Sequence, residues 1–301
     1  MSQFSIKPEI HTAVKSREEH LLKAGIEIRT EKEIPYGTIY TVEGPRETGK
    51  ITLYYSRKKG LSLVRNTKNE VAQKAEDIIF DRQPVQFHPR IGTDEAGKGD
   101  LFGPLVCCAF YIETAQMEQE LRQIGIRDSK RLKDSAIHAM AHTIMTRWPD
   151  HYVLVAPRMK TYNNLYDSIG NLNKLLGWMH GRAMADLAAR WNERGAPVTH
   201  AVADKFGPSQ HITNSVGGLE ELTIEAVTKG EEKELAIAAA SIIARSSFVQ
   251  ALSKLQKTYD IDFPLGCANR VIPVAKKFFH IHGKERGAEV MKMHFKTVKN
   301  M

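Results

Sequence analysis

The sequence predicts an α/β domain preceded by a smaller α+β module. Three observations carry that prediction. From Ile91 onward, short apolar runs of strand length alternate with longer segments whose apolar residues recur at helical spacing. Three of the strand-like runs lead directly into acidic residues: Asp94 with Glu95, Asp204, and Glu231. Before about residue 80 the pattern changes to brief β-like runs separated by Gly-Pro, Thr-Gly and Lys-Lys-Gly turns.

In the first part, Leu21, Leu22, Ile26 and Ile28 predict a helix passing into a strand. Residues 37–42, 50–55 and 61–64 are further strands, which makes a small helix-and-meander module. It carries a basic knot, Arg57, Lys58, Lys59 and Arg65, interleaved with Tyr54 and Tyr55. Such a turn reads either as a grip on a nucleic-acid backbone or as a solvated hairpin tip. Residues 71–90 read as a helix and then a linker, with Pro84 and Pro89 ending regularity. The expected division is therefore 1–80, a linker at 81–90, and a second domain at 91–301.

In the second domain, Asp94 closes a first strand, and the apolar run 105–112 pairs back on it. Ile137, Met140, Ala141, Ile144, Met145 and Trp148 recur at helical spacing, with Asp134 or Ser135 as N-cap. A strand at 152–155 and a long amphipathic helix at 172–191 follow. Residues 198–204 form another acid-ended strand, and residues 222–228 form a strand leading to Glu231. The helix at 235–255 has a small-residue face of Ala236, Ala238, Ala239, Ala240 and Ser241, which permits close packing. The end, 278–301, reads as basic and helical. From Ser253 onward there are ten Lys or Arg against four Asp or Glu.

Bulk properties narrow the function classes. The chain has 301 residues, 42% of them hydrophobic, and a formal net charge of +8, which suits a polyanionic partner or a merely basic soluble protein. Cys107, Cys108 and Cys267 form no CxxC pair, so reduced, buried thiols are expected rather than a disulfide framework or zinc knuckle. The start of the chain is polar and has no apolar h-region, and no apolar stretch reads as long enough to span a bilayer. A cytoplasmic protein with no membrane association follows as the expectation.

Strand ends gather at one edge of an α/β sheet, so Asp94, Glu95, Asp204 and Glu231 can converge although far apart in sequence. Converging carboxylates repel one another unless cations sit among them, and all-oxygen ligation suits Mg²⁺ or Mn²⁺. Two such ions about 4 Å apart would activate a water and stabilise the leaving oxygen of a phosphodiester. Each acid alone reads as structural, a helix cap or a solvated turn. The combination with Gly97-Lys98-Gly99 in a basic chain shifts the balance toward chemistry. Lys98 can reach a phosphate while the flanking backbone meets a ribose hydroxyl. Asp128-Ser129-Lys130 forms a second polar cluster, either an N-cap or a phosphate contact through Lys130.

These residues resemble a known family. Gly92-Thr93-Asp94-Glu95-Ala96-Gly97-Lys98-Gly99-Asp100, followed by Phe102-Gly103-Pro104-Leu105-Val106, resembles the opening of the type 2 ribonucleases H. Arg127-Asp128-Ser129-Lys130-Arg131-Leu132, Ala203-Asp204, Lys229-Gly230-Glu231 and the 238–245 segment resemble the remaining blocks, in order. The resemblance covers roughly residue 91 to the end. Within that group the chain looks like ribonuclease HIII. Lys98 stands where ribonuclease HII usually has arginine, and ribonuclease HIII has an extra N-terminal module.

The resemblance implies a ribonuclease H-like mixed sheet flanked by helices. It also implies a TATA-box-binding-protein-like first domain that binds the RNA–DNA hybrid. It implies metal-dependent cleavage of the RNA strand, leaving 5′-phosphate and 3′-hydroxyl ends. Asp94, Glu95 and Asp204 would hold Mg²⁺ or Mn²⁺, and Glu231 would be the fourth catalytic acid. Many members have aspartate there, so direct metal contact by the longer glutamate stays open. Gly97, Lys98, Gly99, Ser129 and Lys130 would contact substrate, and Arg57, Lys58, Lys59 and Arg65 would add affinity. A monomer without an obligate protein partner is expected. The alternatives are a ribonuclease HII-like enzyme incising at single ribonucleotides, a catalytically silent hybrid-binding protein, and a resolvase- or integrase-like phosphotransferase on the same fold.

Overall fold

The computed structural model describes residues 7–81, 87–126, 132–207, 210–214 and 216–301. The chain divides into two compact units, Met1–Gln86 and Phe87–Met301, so residues 87–90 group with the second.

The first unit contains α1 (Lys7–Lys15), α2 (Glu18–Lys23), β1 (Glu27–Ile34), β2 (Gly37–Glu43), β3 (Thr48–Ser56), β4 (Gly60–Arg65) and α3 (Glu70–Ile79). The strands form one antiparallel sheet in sequence order. Alternation along β2 and β3 turns Tyr40, Val42, Ile51 and Leu53 to the core. Val71, Ala72, Ala75 and Ile79 recur at helical spacing and give α3 the matching apolar stripe. Its start is fixed by Asn69, whose side chain accepts from the Ala72 amide at 3.2 Å.

The second unit contains β5 (Arg90–Ala96), β6 (Val106–Ile112), α4 (Ala115–Ile124), α5 (Asp134–Arg147), β7 (Tyr152–Val155), α6 (Met159–Ile169), α7 (Leu172–Asn192), β8 (His200–Asp204), α8 (Gln210–Thr213), β9 (Thr223–Val227), α9 (Gly230–Lys233), α10 (Leu235–Tyr259), α11 (Val271–His282) and α12 (Lys296–Lys299). Its five strands run in the order β7-β6-β5-β8-β9. The β5–β6 and β6–β7 pairs are antiparallel, and the β5–β8 and β8–β9 pairs are parallel. Strand β6 serves two cores at once. Val106, Cys108, Phe110 and Ile112 face the core built with α10, and Cys107, Ala109 and Tyr111 face the core built with α7. Helix α10 lies close on β5 because its contacting residues are small. A Cβ on Gly92 would sit 2.3 Å from the backbone of Ala236 and Ile237.

Several expectations need correction. Strand β5 continues past Asp94 to Ala96, and Arg90 lies in it, paired with Glu118 and Glu234. The N-cap of α5 is Lys133, without a side-chain cap; Asp134 instead binds Arg245 at 2.8 Å. Helices α1, α4, α6, α8 and α9 have no counterpart among the sequence expectations. The C-terminal segment is helical only to His282, then passes through a 3-10 turn at Glu285–Glu289 and a bridge from Met291 to Phe102 before α12. Cys107 and Cys108 are buried, but Cys267 is exposed. Helix α10 is also long and apolar enough to cross a membrane by length and composition, but two-thirds of its apolar window is buried in the core.

Candidate active site

Parallel pairing of β5 with β8 sets Thr93 opposite Ala203, so Asp94 and Asp204 follow at adjacent strand positions. Strand β9 runs parallel to β8 with Val227 opposite Asp204. The chain then turns at Lys229, in the left-handed region at φ 55°, into the short helix carrying Glu231. That turn is tied to the neighbouring strand end, because the Gly230 amide donates to Asp204 Oδ1 at 2.8 Å. Asp94, Glu95, Lys98, Asp100, Glu231 and Arg245 line one cleft of about 350 Å³. Asp204 stands beside this group, with one carboxylate oxygen committed to Gly230.

Asp94 is 6% exposed. Burial, and then the Glu95 carboxylate, push its carboxyl up to about 8, and Glu231 adds to the rise. Hydrogen bonds from Ser241 and from the Glu95 amide, at 2.8 Å, oppose the shift. Glu95 behaves differently although it is its chain neighbour. Burial raises its carboxyl, but His180 and Lys98 outweigh burial and hold it below the ordinary value. The His180 ring donates from Nε2 to Glu95 Oε2 at 3.1 Å, and its Nδ1 shares a hydrogen bond with the Thr93 hydroxyl at 2.9 Å. Lys98 reaches Glu95 Oε1 at 3.3 Å. Phe206 completes the shell: its ring stacks on His180 at 4.6 Å and lies 5.7 Å from the Lys98 ammonium.

The glycines of the lysine loop differ in role. Gly97 adopts φ 87°, and a Cβ there would meet the Pro104 carbonyl oxygen at 2.3 Å, so no other residue fits. Gly99 is exposed, and a Cβ there would meet nothing within 4 Å.

Ser129 and Lys130 lie outside the described residues. Arg57, Lys58 and Lys59 are exposed at the β3–β4 turn of the first unit. Arg65 is engaged at 3.0 Å by Glu76 of α3 and also bonds Gln73, so it holds a helix to the sheet. The sequence reading did not find His180, Phe206, Thr93 or Ser241. A signal for His180 existed: it is the one polar position among Leu176, Met179, Ala183, Met184 and Leu187, the buried stripe of α7.

Among the described residues, no three His, Cys, Asp or Glu side chains already stand in a cluster that could hold a metal ion. The donor chemistry still fits a hard divalent cation. Asp94, Glu95 and Glu231 bring only oxygens, and the repulsion that the Glu95 and Glu231 carboxylates exert on buried Asp94 is what such a cation would offset.

The sequence matches the family profile described as Ribonuclease HII over residues 91–298. It is 35% identical over 217 residues to ribonuclease HIII of Chlamydia pneumoniae, covering 72% of this chain and 71% of that one. It is 30% identical over 299 residues to ribonuclease HIII of Chlamydia caviae, covering 97% of this chain and 94% of that one. The fold is similar to the crystal structure of Bst-RNase HIII in complex with Mn²⁺, with TM-score 0.65 and 22% identity, covering 96% of this chain and 94% of that one. A profile match over residues 91–298, and relatives aligned through both units, mean that this chain belongs to the ribonuclease HIII group of the type 2 ribonucleases H.

Proposed function

We propose that this chain is an endoribonuclease that hydrolyses the RNA strand of RNA–DNA hybrids and leaves 5′-phosphate and 3′-hydroxyl ends. The observation that carries this reading is the shared cleft of Asp94, Glu95 and Glu231 beside the Gly97-Lys98-Gly99 loop. Family membership supports it, since the relatives aligned along the chain are named for this ribonuclease class.

Asp94, Glu95 and Asp204 would hold the divalent ions, Mg²⁺ or Mn²⁺, with Glu231 assisting. Such ions, when bound, supply a more acidic water and charge to stabilise the leaving oxygen. The chain's own groups do the rest. His180 and Thr93 fix the Glu95 carboxylate in place. Exposed Gly99 lets the ribose approach the backbone, so that a 2′-hydroxyl can be told from hydrogen. Lys98 now rests on Glu95, and a substrate phosphate would compete for its ammonium. The basic turn of the first unit would add sequence-independent affinity through phosphates.

The test is a cleavage assay titrated with Mg²⁺ and Mn²⁺ on two substrates, a full RNA–DNA hybrid and a DNA duplex with one embedded ribonucleotide. Metal-dependent cutting of the hybrid alone is expected. Cutting at the lone ribonucleotide would move the enzyme to the type-HII specificity. Binding without turnover in either metal would leave a silent hybrid-binding protein.

A further inference from the structure

Lys292 is an amine side chain with no exposed surface at all, and burial lowers its pKa to about 7. Burying a polar amine, neutral or protonated, is costly unless hydrogen bonds replace its water. Here they do: Nζ donates to the Asp100 carbonyl oxygen at 2.8 Å and to the Gly103 carbonyl oxygen at 2.6 Å. The face of Tyr162 lies 5.8 Å away. For stability alone, a well-packed apolar residue would serve as well or better. A buried amine aimed at two carbonyls three residues apart specifies a loop geometry instead.

That loop is the continuation of the lysine loop. The Asp100 amide donates to the Gly97 carbonyl at 3.3 Å, closing the turn that holds Lys98 and Gly99. Backbone bonds stitch its other side to the C-terminal segment, Lys292 N–H to Leu101 O at 3.0 Å and Gly103 N–H to Val290 O at 3.0 Å, and to the loop before α11, Leu101 N–H to Gly266 O at 2.9 Å. The C-terminal segment is itself clamped. Asn163 of α6, 5% exposed, donates to Met291 O at 3.0 Å and accepts from the Met293 amide at 2.9 Å, on either side of Lys292.

We infer that Lys292 is a positioning residue: with Asn163 behind it, it sets the geometry of the 97–103 loop and thereby the enzyme's preference for ribose over deoxyribose. The preference rests on the reading of the loop given under Proposed function; the anchoring does not. Lys292→Met preserves length and burial but leaves the Asp100 and Gly103 carbonyls without their donor. Asn163→Ala loosens the same anchor without touching Lys292.

Two readouts separate the parts. Hydrogen exchange in the free full-length chain should show faster exchange of amides 97–103 in both variants, with β5 and β6 unchanged. Binding is then measured by anisotropy on an Asp94→Asn background, comparing a hybrid with a DNA duplex of the same sequence. The hybrid preference should fall about tenfold in Lys292→Met and less in Asn163→Ala, with DNA affinity unchanged. Folded variants that keep both loop protection and hybrid preference overturn the inference. So does failure of both variants to fold, because Lys292 would then serve the fold as a whole. If the parent shows no hybrid preference while loop exchange still quickens, the anchor stands and the ribose-reading role is what fails.

Discussion

The two sheets of this protein handle charge in opposite ways. Strand β1 of the first unit is exposed at nearly every position, and its charges pair at the surface, as in Arg29 with Glu27 and Lys50 with Glu31. Pairs of this kind are screened by solvent and contribute little. Strand β6 of the second unit is buried at every position, and its neighbour β5 carries Asp94 into the interior. There each charge needs a named partner: Glu95 has His180 and Lys98, and Arg90 has Glu118 and Glu234. The difference teaches where substitutions act. In the first unit a charge can change affinity and leave the fold alone. In the second, a charge change alters chemistry and stability together.

The largest effect is expected at Asp94. Asp94→Asn should cut hybrid cleavage by at least about 10³-fold. It should also change the pH dependence of folding in the metal-free protein. The carboxyl is raised from 3.8 to about 8 in the folded state, so its contribution favours folding fully below 3.8 and is lost as pH rises through 8. The parent in EDTA should therefore lose stability across that window, and the asparagine variant should lose less. Added Mg²⁺ or Mn²⁺ should restore the parent at pH 8 and do little for the variant. Parallel stability curves for the two proteins would show that Asp94 does not carry the buried charge.

The next effect contrasts two glycines. Gly92→Ala would force a Cβ to 2.3 Å from the Ala236 and Ile237 backbone, where nothing flexible can give way. Denaturant unfolding should register a loss of about 3 kcal/mol for the second unit. Gly60 of the first unit faces open space but has φ 68°, so Gly60→Ala should cost only about 1 kcal/mol, from backbone strain. Equal costs would mean that α10 can retreat from β5.

What was legible in the sequence follows the same division. Strands β5, β6 and β8 could be read because apolar runs of strand length are bounded by turns and acids. Helix α10 could be read because its alanines recur where a close neighbour needs them. Helix α4 escaped because it buries only Met117 and Leu121 among Gln and Glu. The C-terminal segment was over-read as one helix because basic charge has no period; Gly283, at φ 83°, ends α11 there. At the site, the positions of Asp94, Glu95 and Asp204 at strand ends were legible, whereas Glu231 sits in α9 beyond β9. The tuning of the site was not legible: His180 lies 85 residues from Glu95, and Lys292 lies 189 from Gly103, so only the fold brings them together.

A smaller effect is expected at His180, where buried tuning meets chemistry. His180→Ala removes the donor to Glu95 Oε2 and the stacking partner of Phe206. Catalytic turnover should fall about tenfold, in the range seen when a residue behind a metal-binding carboxylate is lost. The Glu95 carboxyl should also rise, since His180 is the largest of the influences lowering it. The acid limb of the pH–rate profile should then move to higher pH. An unmoved limb with reduced turnover would make His180 a packing residue only.

The smallest effect per residue belongs to the exposed turn of the first unit. Lys58→Ala touches no core side chain, so the unfolding midpoint should not move. If Lys58 meets a phosphate, its removal should raise KM, leave kcat alone, and lower the slope of log affinity against log salt by about 1. Arg65→Ala provides the internal contrast, because Arg65 is tied to Glu76 and Gln73 of α3. Its loss should lower stability and leave the salt slope near that of the parent. A reversal of the two outcomes would place the phosphate contact on β4 rather than on the turn. It would also break the rule that charge on the first unit acts from the surface.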